Sequence, residues 1–293
     1  MLPNYDIKPG LLQNEDKFKH PFFEQFTLRH APVPLELNES VSKNYLFPTC
    51  YSDVTCAQAI FFCNYDAAQA LLPHPKMKPV RMTYDRAIVA FSCYIYTNVM
   101  GVAPYNEIAM TIPIMVDPKV DAPVLPLVTK FFKEFGYYVF SMPVTSLENR
   151  TRGHKIWGLP KEVQEIDIFE DGGDCVTVAK EENGDQYFEL RVPMKGKKTR
   201  FDEKAFLYSK LNGELLQSQT CFKADFRVNA NFDTLLKKGV PSDRTYLTVG
   251  DTPCGRAIKD LGVEEKPFQL RFAKHMNACF DLPNADFVSP ITF

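Results

Sequence analysis

The chain contains a series of apolar and aromatic segments of strand length, and this pattern limits its possible folds more than any other feature. Such segments cover 56–64, 87–95, 105–116 and 137–142. In the third, isoleucine and methionine alternate with less apolar neighbours, as in a strand with one well-buried face. Many short strands with few helices indicate an antiparallel sheet system, which forms either a closed barrel or a strongly curved sandwich.

Two turns predict β-hairpins further along the chain. Residues 171–174 (Asp-Gly-Gly-Asp) separate strand-like 163–169 from 175–179, and Asn-Gly at 183–184 separates the latter from 187–192. Glycine and asparagine accept the positive φ angles that tight hairpin turns require. The chain is therefore predicted to be mainly β.

A few short helices are predicted around this sheet, giving a mainly β (α+β) class with peripheral helices. One covers 66–72, with its first aspartate as the cap and prolines after its end. Residues 127–135, followed by a glycine, are typical of a second. Another lies between Thr252-Pro253, as cap and first residue, and Gly262.

Composition limits the domain number and the position of the core. With 293 residues, of which 45% are hydrophobic, the chain can bury one large core or two small ones. Residues 1–45 are polar and charged with little periodicity, so they are predicted to be an N-terminal extension outside the core, used in subunit contacts. Residues 46–293 are predicted to form a single domain.

Charge and motif content exclude several functional classes. A net charge of −2 gives no basic surface for nucleic acid or acidic membranes. The N-terminus lacks the features of a secretory signal, and no apolar stretch reaches the length of a membrane span. The eight cysteines form no C-x-x-C motif, which favours reduced, buried thiols in a cytoplasmic protein. No metal-binding or nucleotide-binding motif is present.

Segment 153–161 (Gly-His-Lys-Ile-Trp-Gly-Leu-Pro-Lys) is unlike ordinary core sequence. Its two glycines and its proline predict that the chain bends between extended pieces here instead of forming a helix. Lys161 directly follows the proline and an apolar stretch that contains the only Trp of the chain. Desolvation in such a setting lowers the pKa of a lysine towards that of a neutral, nucleophilic amine.

This segment resembles the G-R-E-[IL]-x-x-[FY]-P-K signature of the acetoacetate decarboxylase family. Tyr105-Asn106-Glu107, followed by Ile-Pro at 112–113, resembles the Y-x-E strand of that family, and 60–75 is similar to its strand, short helix and L-P opening. The similarity covers 56–161 with gaps. It implies a closed, cone-like β-barrel of acetoacetate decarboxylase type over 46–293, assembled as a homo-oligomer.

The resemblance also implies a chemistry. The lysine would attack the ketone of a small or medium oxo acid, most simply a 3-oxo acid, and the resulting iminium would accept the electrons released with CO₂. Acetoacetate decarboxylase is the standard example of a lysine activated in this way. Lys161 would carry the Schiff base in place of any external cofactor, and Glu107 would act as acid/base or position a proton. Lowering a lysine pKa from about 10.4 to about 6–7 requires roughly 5 kcal/mol.

Several positions depart from the family pattern. Glu162 stands where a second lysine commonly follows the nucleophile, Lys155 replaces the glutamate of the G-R-E triplet, and His154 replaces its arginine. A strand acid expected near Ser92 is absent, and Val54 lies near the position of an arginine associated with the substrate carboxylate. These changes leave the identity of the substrate open.

Three of these positions remain supporting candidates. Lys155 and Glu162 reverse the charges of the family pair, so they are hypothesised to form an ion pair of opposite polarity. The alternative is that Glu162 lies beside Lys161 and raises its pKa, although adjacent strand residues face opposite sides. His154 is a candidate to replace the missing cation or to transfer a proton.

Tyr105, Arg152 and Trp157 are the candidates for substrate binding. A tyrosine can donate a hydrogen bond in the pocket, and an arginine can hold a carboxylate. Trp157 is more typical of a packing residue than of a ligand contact. Arg86 is another candidate for the carboxylate site, although for both arginines a surface charge is the commoner role.

Two functional classes stay open. One is a carbon–carbon lyase, with decarboxylation, aldol or dehydration chemistry through the same iminium. The other is a barrel that binds an apolar ligand without turnover, since fold alone does not determine function. The predicted partner is a small-molecule oxo acid, with no nucleic acid and no membrane.

Overall fold

The computed structural model describes residues 1–129 and 131–293. Its strands are β1 (Arg29–His30), β2 (Leu35–Glu36), β3 (Ser42–Lys43), β4 (Leu46–Phe47), β5 (Thr49–Asn64), β6 (Met77–Pro79), β7 (Arg86–Val99), β8 (Tyr105–Val116), β9 (Phe135–Ser141), β10 (Glu165–Asp171), β11 (Asp174–Lys180), β12 (Gln186–Pro193), β13 (Lys197–Leu211), β14 (Glu214–Ala230), β15 (Leu247–Val249) and β16 (Gln269–Pro283).

The helices are short and lie between or outside the strands. They are α1 (Pro21–Glu24), α2 (Tyr65–Ala70), α3 (Leu125–Val128), α4 (Leu147–Arg152), α5 (Asp233–Leu236) and α6 (Pro253–Lys259), with 3₁₀ turns at Glu15–Phe18 and Thr83–Asp85 and a π turn at Gly153–Trp157.

Seven strands of the described chain close into a barrel. The order is β8-β7-β5-β16-β14-β13-β9, and β9 pairs back with β8 to complete the ring. All of these pairings are antiparallel except that of β13 with β9. The mainly β class and the closed barrel are therefore confirmed, with one parallel contact that the strand pattern did not predict.

Cross-strand pairing identifies the side chains that face the interior of the barrel, called the lumen below. Tyr94 is opposite Glu107 across β7 and β8, and Cys56 is opposite Tyr94 across β5 and β7. Gln58 and Ser92 form the next pair, joined by a 2.8 Å hydrogen bond from the amide to the hydroxyl. Because opposite residues share a face, all five side chains point into the lumen.

The outer face of the same strands packs against a second antiparallel sheet, β10-β11-β12-β15. Phe61, Phe91 and Ile112 belong to one buried cluster with Phe188 and Leu190 of β12. Both predicted hairpins connect strands of this sheet, β10 with β11 and β11 with β12. Strands β5, β7 and β8 are thus buried on both faces along most of their length, which explains their high apolar content.

The N-terminal segment contributes to the core instead of lying outside it. Phe18, Phe22 and Phe23 are buried in a cluster with Cys50 and Cys221 of the barrel strands. Burial of their aromatic rings removes apolar surface from water, which favours packing of the segment on the barrel. The prediction that residues 1–45 lie outside the core is wrong for these side chains, and the domain boundary at 45 stays a prediction.

The predicted helices are only partly confirmed. Helix α2 is capped by Asn64, whose side chain accepts a 2.9 Å hydrogen bond from Ala67 N, and not by an aspartate within it. For the helix predicted over 127–135, Lys130 lies outside the described residues; α3 ends at Val128 and β9 already begins at Phe135. Helix α6 has the predicted threonine cap and first-turn proline.

No helix among the described residues has both the length and the apolar character that crossing a membrane would require.

Candidate active site

Lys161 follows a helical turn, not an extended segment. Helix α4 begins at Ser146, whose side chain caps it, and continues directly into the π turn. Gly153 takes ordinary helical angles (φ −57°, ψ −46°), and Gly158 ends the turn in a left-handed conformation (φ 61°). The prediction that 153–161 bends between extended pieces is wrong, because both glycines serve a helical turn: one inside it and one as its end.

Gly153 makes room for the side chain of Lys161. A Cβ atom at position 153 would lie 2.8 Å from Lys161 Cε and 2.9 Å from Lys161 Cγ. His154 fixes the backbone on the same side, since its Nε2 donates a 2.6 Å hydrogen bond to the Lys161 carbonyl. Gly153 therefore accommodates the side chain of Lys161, and His154 holds its backbone. His154 does not contact the amine.

The amine of Lys161 meets Glu107 inside the barrel. Lys161 Nζ lies 2.5 Å from Glu107 Oε2, and the two residues are only 6% and 4% exposed. The other oxygen, Glu107 Oε1, accepts a 3.2 Å hydrogen bond from Tyr96. The centroid of the Tyr105 ring lies 5.7 Å from the amine. The fold thus brings two residues that are 54 positions apart in the sequence into one buried ion pair.

Burial and neighbouring charges set the electrostatics of this contact. Desolvation is the largest influence and lowers the pKa of Lys161; Glu107 opposes it, and the positive charge of Arg152 adds to it. The net direction is downward. Burial also raises the pKa values of Tyr96 and Tyr105 well above the usual range, so these phenols stay protonated donors.

Arg152 is a buried cation beside this pair. It donates hydrogen bonds to Asn149 Oδ1 at 3.0 Å and to Thr49 Oγ1 at 2.9 Å, and its Cζ lies 4.3 Å from the centroid of the Tyr45 ring. Its Nε is buried and, among the described residues, has no hydrogen-bond partner. The guanidinium is therefore fixed in position, and its Nε–H has no partner among the described residues.

The neighbouring buried charges neutralise one another without Arg152. Lys43 and Glu148 form a buried ion pair at 2.9 Å, and Tyr45 donates a 2.5 Å hydrogen bond to the same carboxylate. Within the described part of the chain, Arg152 has no carboxylate at ion-pair distance. Two neutral pairs and one unpaired arginine leave this region with a net charge of +1, which favours an anionic ligand.

The remaining candidate residues lie away from the amine. Glu162 is exposed and pairs with Arg150 at 3.3 Å, so it does not lie against Lys161. Lys155 is also exposed and donates to the Glu36 carbonyl at 2.6 Å. The hypothesised ion pair between Lys155 and Glu162 does not form in the described structure, because the two side chains have these other partners.

Trp157 packs instead of lining an open site. Its ring centroid lies 4.9 Å from that of Phe280 and 6.0 Å from that of Phe47, and its Nε1 donates a 2.8 Å hydrogen bond to the Asp281 carbonyl. Arg86 likewise serves the fold, through a buried ion pair with Glu264 at 2.9 Å.

Sequence reasoning found Tyr105 but missed the other tyrosines of the lumen. Tyr96 contacts both Tyr94 and Tyr105, with ring centroids 5.2 and 4.9 Å apart, and the Tyr51 ring lies 4.6 Å from it. Tyr94 and Tyr96 are two residues apart on β7, as Tyr105 and Glu107 are on β8. This shared spacing indicates a common face only once the pairing of the two strands is known. The site is therefore lined by phenols around one amine and one carboxylate.

The described residues contain no cluster of three or more His, Cys, Asp or Glu side chains arranged to hold a metal ion. That the protein works without an external cofactor stays a prediction.

The family model described as acetoacetate decarboxylase (ADC) matches residues 32–235. The chain belongs to the acetoacetate decarboxylase family. Members of this family are enzymes that use a lysine Schiff base without an external cofactor. The match includes both Glu107 and Lys161.

Several solved structures have a similar fold. A crystal structure of acetoacetate decarboxylase from Legionella pneumophila has a TM-score of 0.57 at 14% identity, covering 93% of this chain and 95% of its own. An acetoacetate decarboxylase (TM-score 0.52, 15% identity) and the enduracididine biosynthesis enzyme MppR with HEPES bound (0.52, 12%) each cover 80% of this chain and 87% of theirs. At these identities the likeness concerns the fold alone. No curated protein sequence matches the chain.

Proposed function

We propose that the protein is a Schiff-base-forming lyase that decarboxylates a 3-oxo acid through an iminium on Lys161. The observation that carries the proposal is the buried contact between Lys161 and Glu107 in a barrel of the acetoacetate decarboxylase family. A lysine in this environment has a lowered pKa, and its amine is held against a carboxylate that can take its proton.

The first step requires a neutral amine. Glu107 accepts a proton from the Lys161 ammonium across their 2.5 Å contact, which leaves a free amine beside a neutral carboxylic acid. The amine attacks the ketone carbon of the substrate. Glu107 then returns the proton to the hydroxyl of the carbinolamine, which departs as water and leaves a protonated iminium next to the carboxylate.

The iminium makes the loss of CO₂ possible. The bond between the substrate carboxylate and the adjacent carbon breaks, and its electron pair moves into the iminium to form a neutral enamine. Protonation of the enamine carbon restores the iminium, and water releases the ketone and regenerates Lys161. We assign the protonation of the enamine carbon to Glu107, whose carboxylate has first taken up one proton from solvent. The hydroxyl of Tyr96 donates a hydrogen bond to Glu107 and holds it in position.

Arg152 supplies the positive charge that attracts the substrate anion. Its Nε donor has no partner among the described residues, and its other contacts to Asn149 and Thr49 hold it in place. Its charge also favours the neutral form of Lys161. Tyr105 is the proposed side wall of the site, whereas the packing of Trp157 argues against a direct contact of that residue with substrate.

A second reading keeps the iminium but not the decarboxylation. Ser92, near the position where the family carries a further acid, is buried and accepts a hydrogen bond from Gln58, so this place in the lumen is neutral. An enamine at Lys161 that adds to an aldehyde, or an iminium that loses water, would use the same amine. Pyruvate with an aldehyde is the probe for this alternative.

The test is CO₂ release from acetoacetate and longer 3-oxo acids by the wild-type protein and two variants. Lys161→Met removes the amine, and Lys155→Met removes an exposed lysine of the same segment. We expect Lys155→Met to retain activity and Lys161→Met to lose it by 10³-fold or more, on the order seen when a covalent nucleophile is deleted. Retained CO₂ release in a folded Lys161→Met protein would refute the mechanism. A cytoplasmic location and a homo-oligomeric state accompany the proposal as predictions.

A further inference from the structure

Arg271 lies inside the barrel and, like Arg152, has no ion-pair partner among the residues that the structure describes. It is on the side of the lumen where neither the sequence motifs nor the mechanism above place a role. It lies on β16 directly opposite Gln58 of β5, and Gln58 is opposite Ser92 of β7. Ser92 is in turn opposite Ala109, two residues along β8 from Glu107. Arg271 therefore shares the inner face of the barrel with the Lys161–Glu107 pair.

Strand β5 gives the order of these groups along the lumen. Thr49, near its start, accepts a hydrogen bond from Arg152. Cys56 is opposite Tyr94, which is opposite Glu107, and Gln58 is opposite Arg271. Two residues of a strand span about 7 Å. Along the direction of β5, Arg152 and Arg271 thus lie on opposite sides of the level of Glu107. Arg271 is about two strand residues from that level.

The surroundings of Arg271 leave its charge unmatched. Its Nε donates a hydrogen bond to Gln269 Oε1, and its Cζ lies 4.8 Å from the centroid of the Phe201 ring. Among residues 1–129 and 131–293, no carboxylate lies at ion-pair distance from it, and its two terminal nitrogens make no hydrogen bond within the protein. Glu203 acts on it only from a longer distance, and burial lowers its pKa. A mostly desolvated guanidinium with two free nitrogens is suited to bind a carboxylate in a bidentate manner.

We propose that Arg271 binds a second carboxylate of the substrate, so that the preferred substrate is a 3-oxo dicarboxylic acid. This inference rests on the proposed function for the position of the ketone. The ketone meets Lys161, the carboxylate adjacent to the reacting carbon leaves as CO₂, and the remote carboxylate stays bound to Arg271. For 3-oxoadipate the balance is one CO₂ and 4-oxopentanoate, with one proton added at the carbon that lost the carboxylate.

The experiment compares acetoacetate, which has one carboxylate, with 3-oxoadipate, which has two. Wild-type protein should have the higher kcat/KM for 3-oxoadipate. In Arg271→Gln we expect kcat/KM for 3-oxoadipate to fall by about 30-fold or more, mainly through KM, because truncating one partner of a buried charge pair has an effect of that order. Activity on acetoacetate should change by no more than about 2-fold, since that substrate does not reach Arg271.

Two further variants keep the test decisive. Arg227 lies on the neighbouring strand β14, is exposed and faces away from the lumen, so Arg227→Gln should change neither substrate's kinetics. Arg271→Lys retains the positive charge but not the planar guanidinium, so its kcat/KM for 3-oxoadipate should lie between those of wild type and Arg271→Gln. If Arg271→Gln does not fold, Arg271→Lys takes its place in the comparison. Equal losses on both substrates, or a wild-type preference for acetoacetate, would overturn the inference.

A binding measurement separates this inference from the proposed function. Glutarate has two carboxylates and no ketone, and butyrate has one, so calorimetric titration of both tests anion binding without Schiff-base chemistry. Glutarate binding that is lost in Arg271→Gln, with no turnover of any oxo acid, would support the anion site and reject the lyase. Turnover of acetoacetate with no Arg271-dependent glutarate binding would support the lyase and reject the anion site.

Discussion

Replacing Glu107 with glutamine should lower the pKa of Lys161 further. The carboxylate lies 2.5 Å from the amine and is the main influence that opposes desolvation. At an effective dielectric constant of about 20, a charge pair at this distance is worth about 6 kcal/mol. Movement of the neutral amide and entry of water will reduce this energy, so we expect roughly half of it to appear as a lower titration midpoint of Lys161.

The assay is competitive acetylation of the folded protein with acetic anhydride from pH 5 to 11, followed by peptide mass spectrometry. The exposed Lys155 on the same segment is an internal reference for reagent and pH. Glu162→Gln is the matched control, because Glu162 is next to Lys161 in sequence but exposed and paired with Arg150. The control should leave the midpoint of Lys161 within about 0.3 units. A midpoint in Glu107→Gln that is unchanged or higher would contradict the electrostatic argument.

Gly153→Ala should displace Lys161 and lower kcat by about 100-fold, which is the cost of misplacing a reacting group by about 1 Å. Gly10→Ala is the control and should leave kcat unchanged, because no atom lies within 4 Å of the new methyl group. Equal activity of the two variants would disprove the close packing of Lys161 against Gly153. Lys161→Met alone should lose about 3–5 kcal/mol of unfolding free energy in urea, while the double variant with Glu107→Gln should regain it or exceed wild type, since neutral replacement of a buried ion pair is often stabilising. Trp157→Phe should lower stability by about 1 kcal/mol through its lost hydrogen bond and leave KM unchanged; a raised KM would instead place Trp157 in contact with substrate.

Strand content was the most predictable part of the fold, because alternation and apolar runs are local signals. Strand β8 has the predicted limits, and both glycine turns form the predicted hairpins. Barrel closure depends on the pairing of β9 with both β8 and β13, which joins segments far apart in sequence. No local pattern in 135–141 distinguishes a strand with two such partners from the edge of a sandwich, and only the family resemblance predicted closure.

Segments with helix-breaking residues were predicted least well. Glycine at 153 reads as a bend, yet its missing side chain is what admits Lys161 into the site. The glycine after 127–135 resembled a helix C-cap, although Gly136 lies within β9, where a Cβ would lie 2.7 Å from the Phe206 carbonyl. In both places glycine serves close packing with a distant part of the chain, which sequence spacing does not reveal.

The site could be predicted where a motif carried it and not elsewhere. Lys161 and Glu107 were paired through family resemblance, and their side chains do meet. The register between strands places Tyr96 and Arg271 in the lumen. An isolated tyrosine or arginine in a strand does not show from the sequence alone that it faces the site. The predicted ion pair between Lys155 and Glu162 does not form in the described structure, because proximity in sequence does not fix the direction of a side chain.

Schiff-base formation at Lys161 can be detected by trapping with sodium borohydride. Wild-type protein is incubated with acetoacetate or 3-oxoadipate, reduced, digested and analysed by peptide mass spectrometry, with Lys161→Met and a sample without oxo acid in parallel. We expect a reduced adduct on Lys161 that forms only with substrate and is absent from the variant. An adduct on any other lysine, or none on folded protein between pH 5 and 9, would contradict Schiff-base chemistry at Lys161.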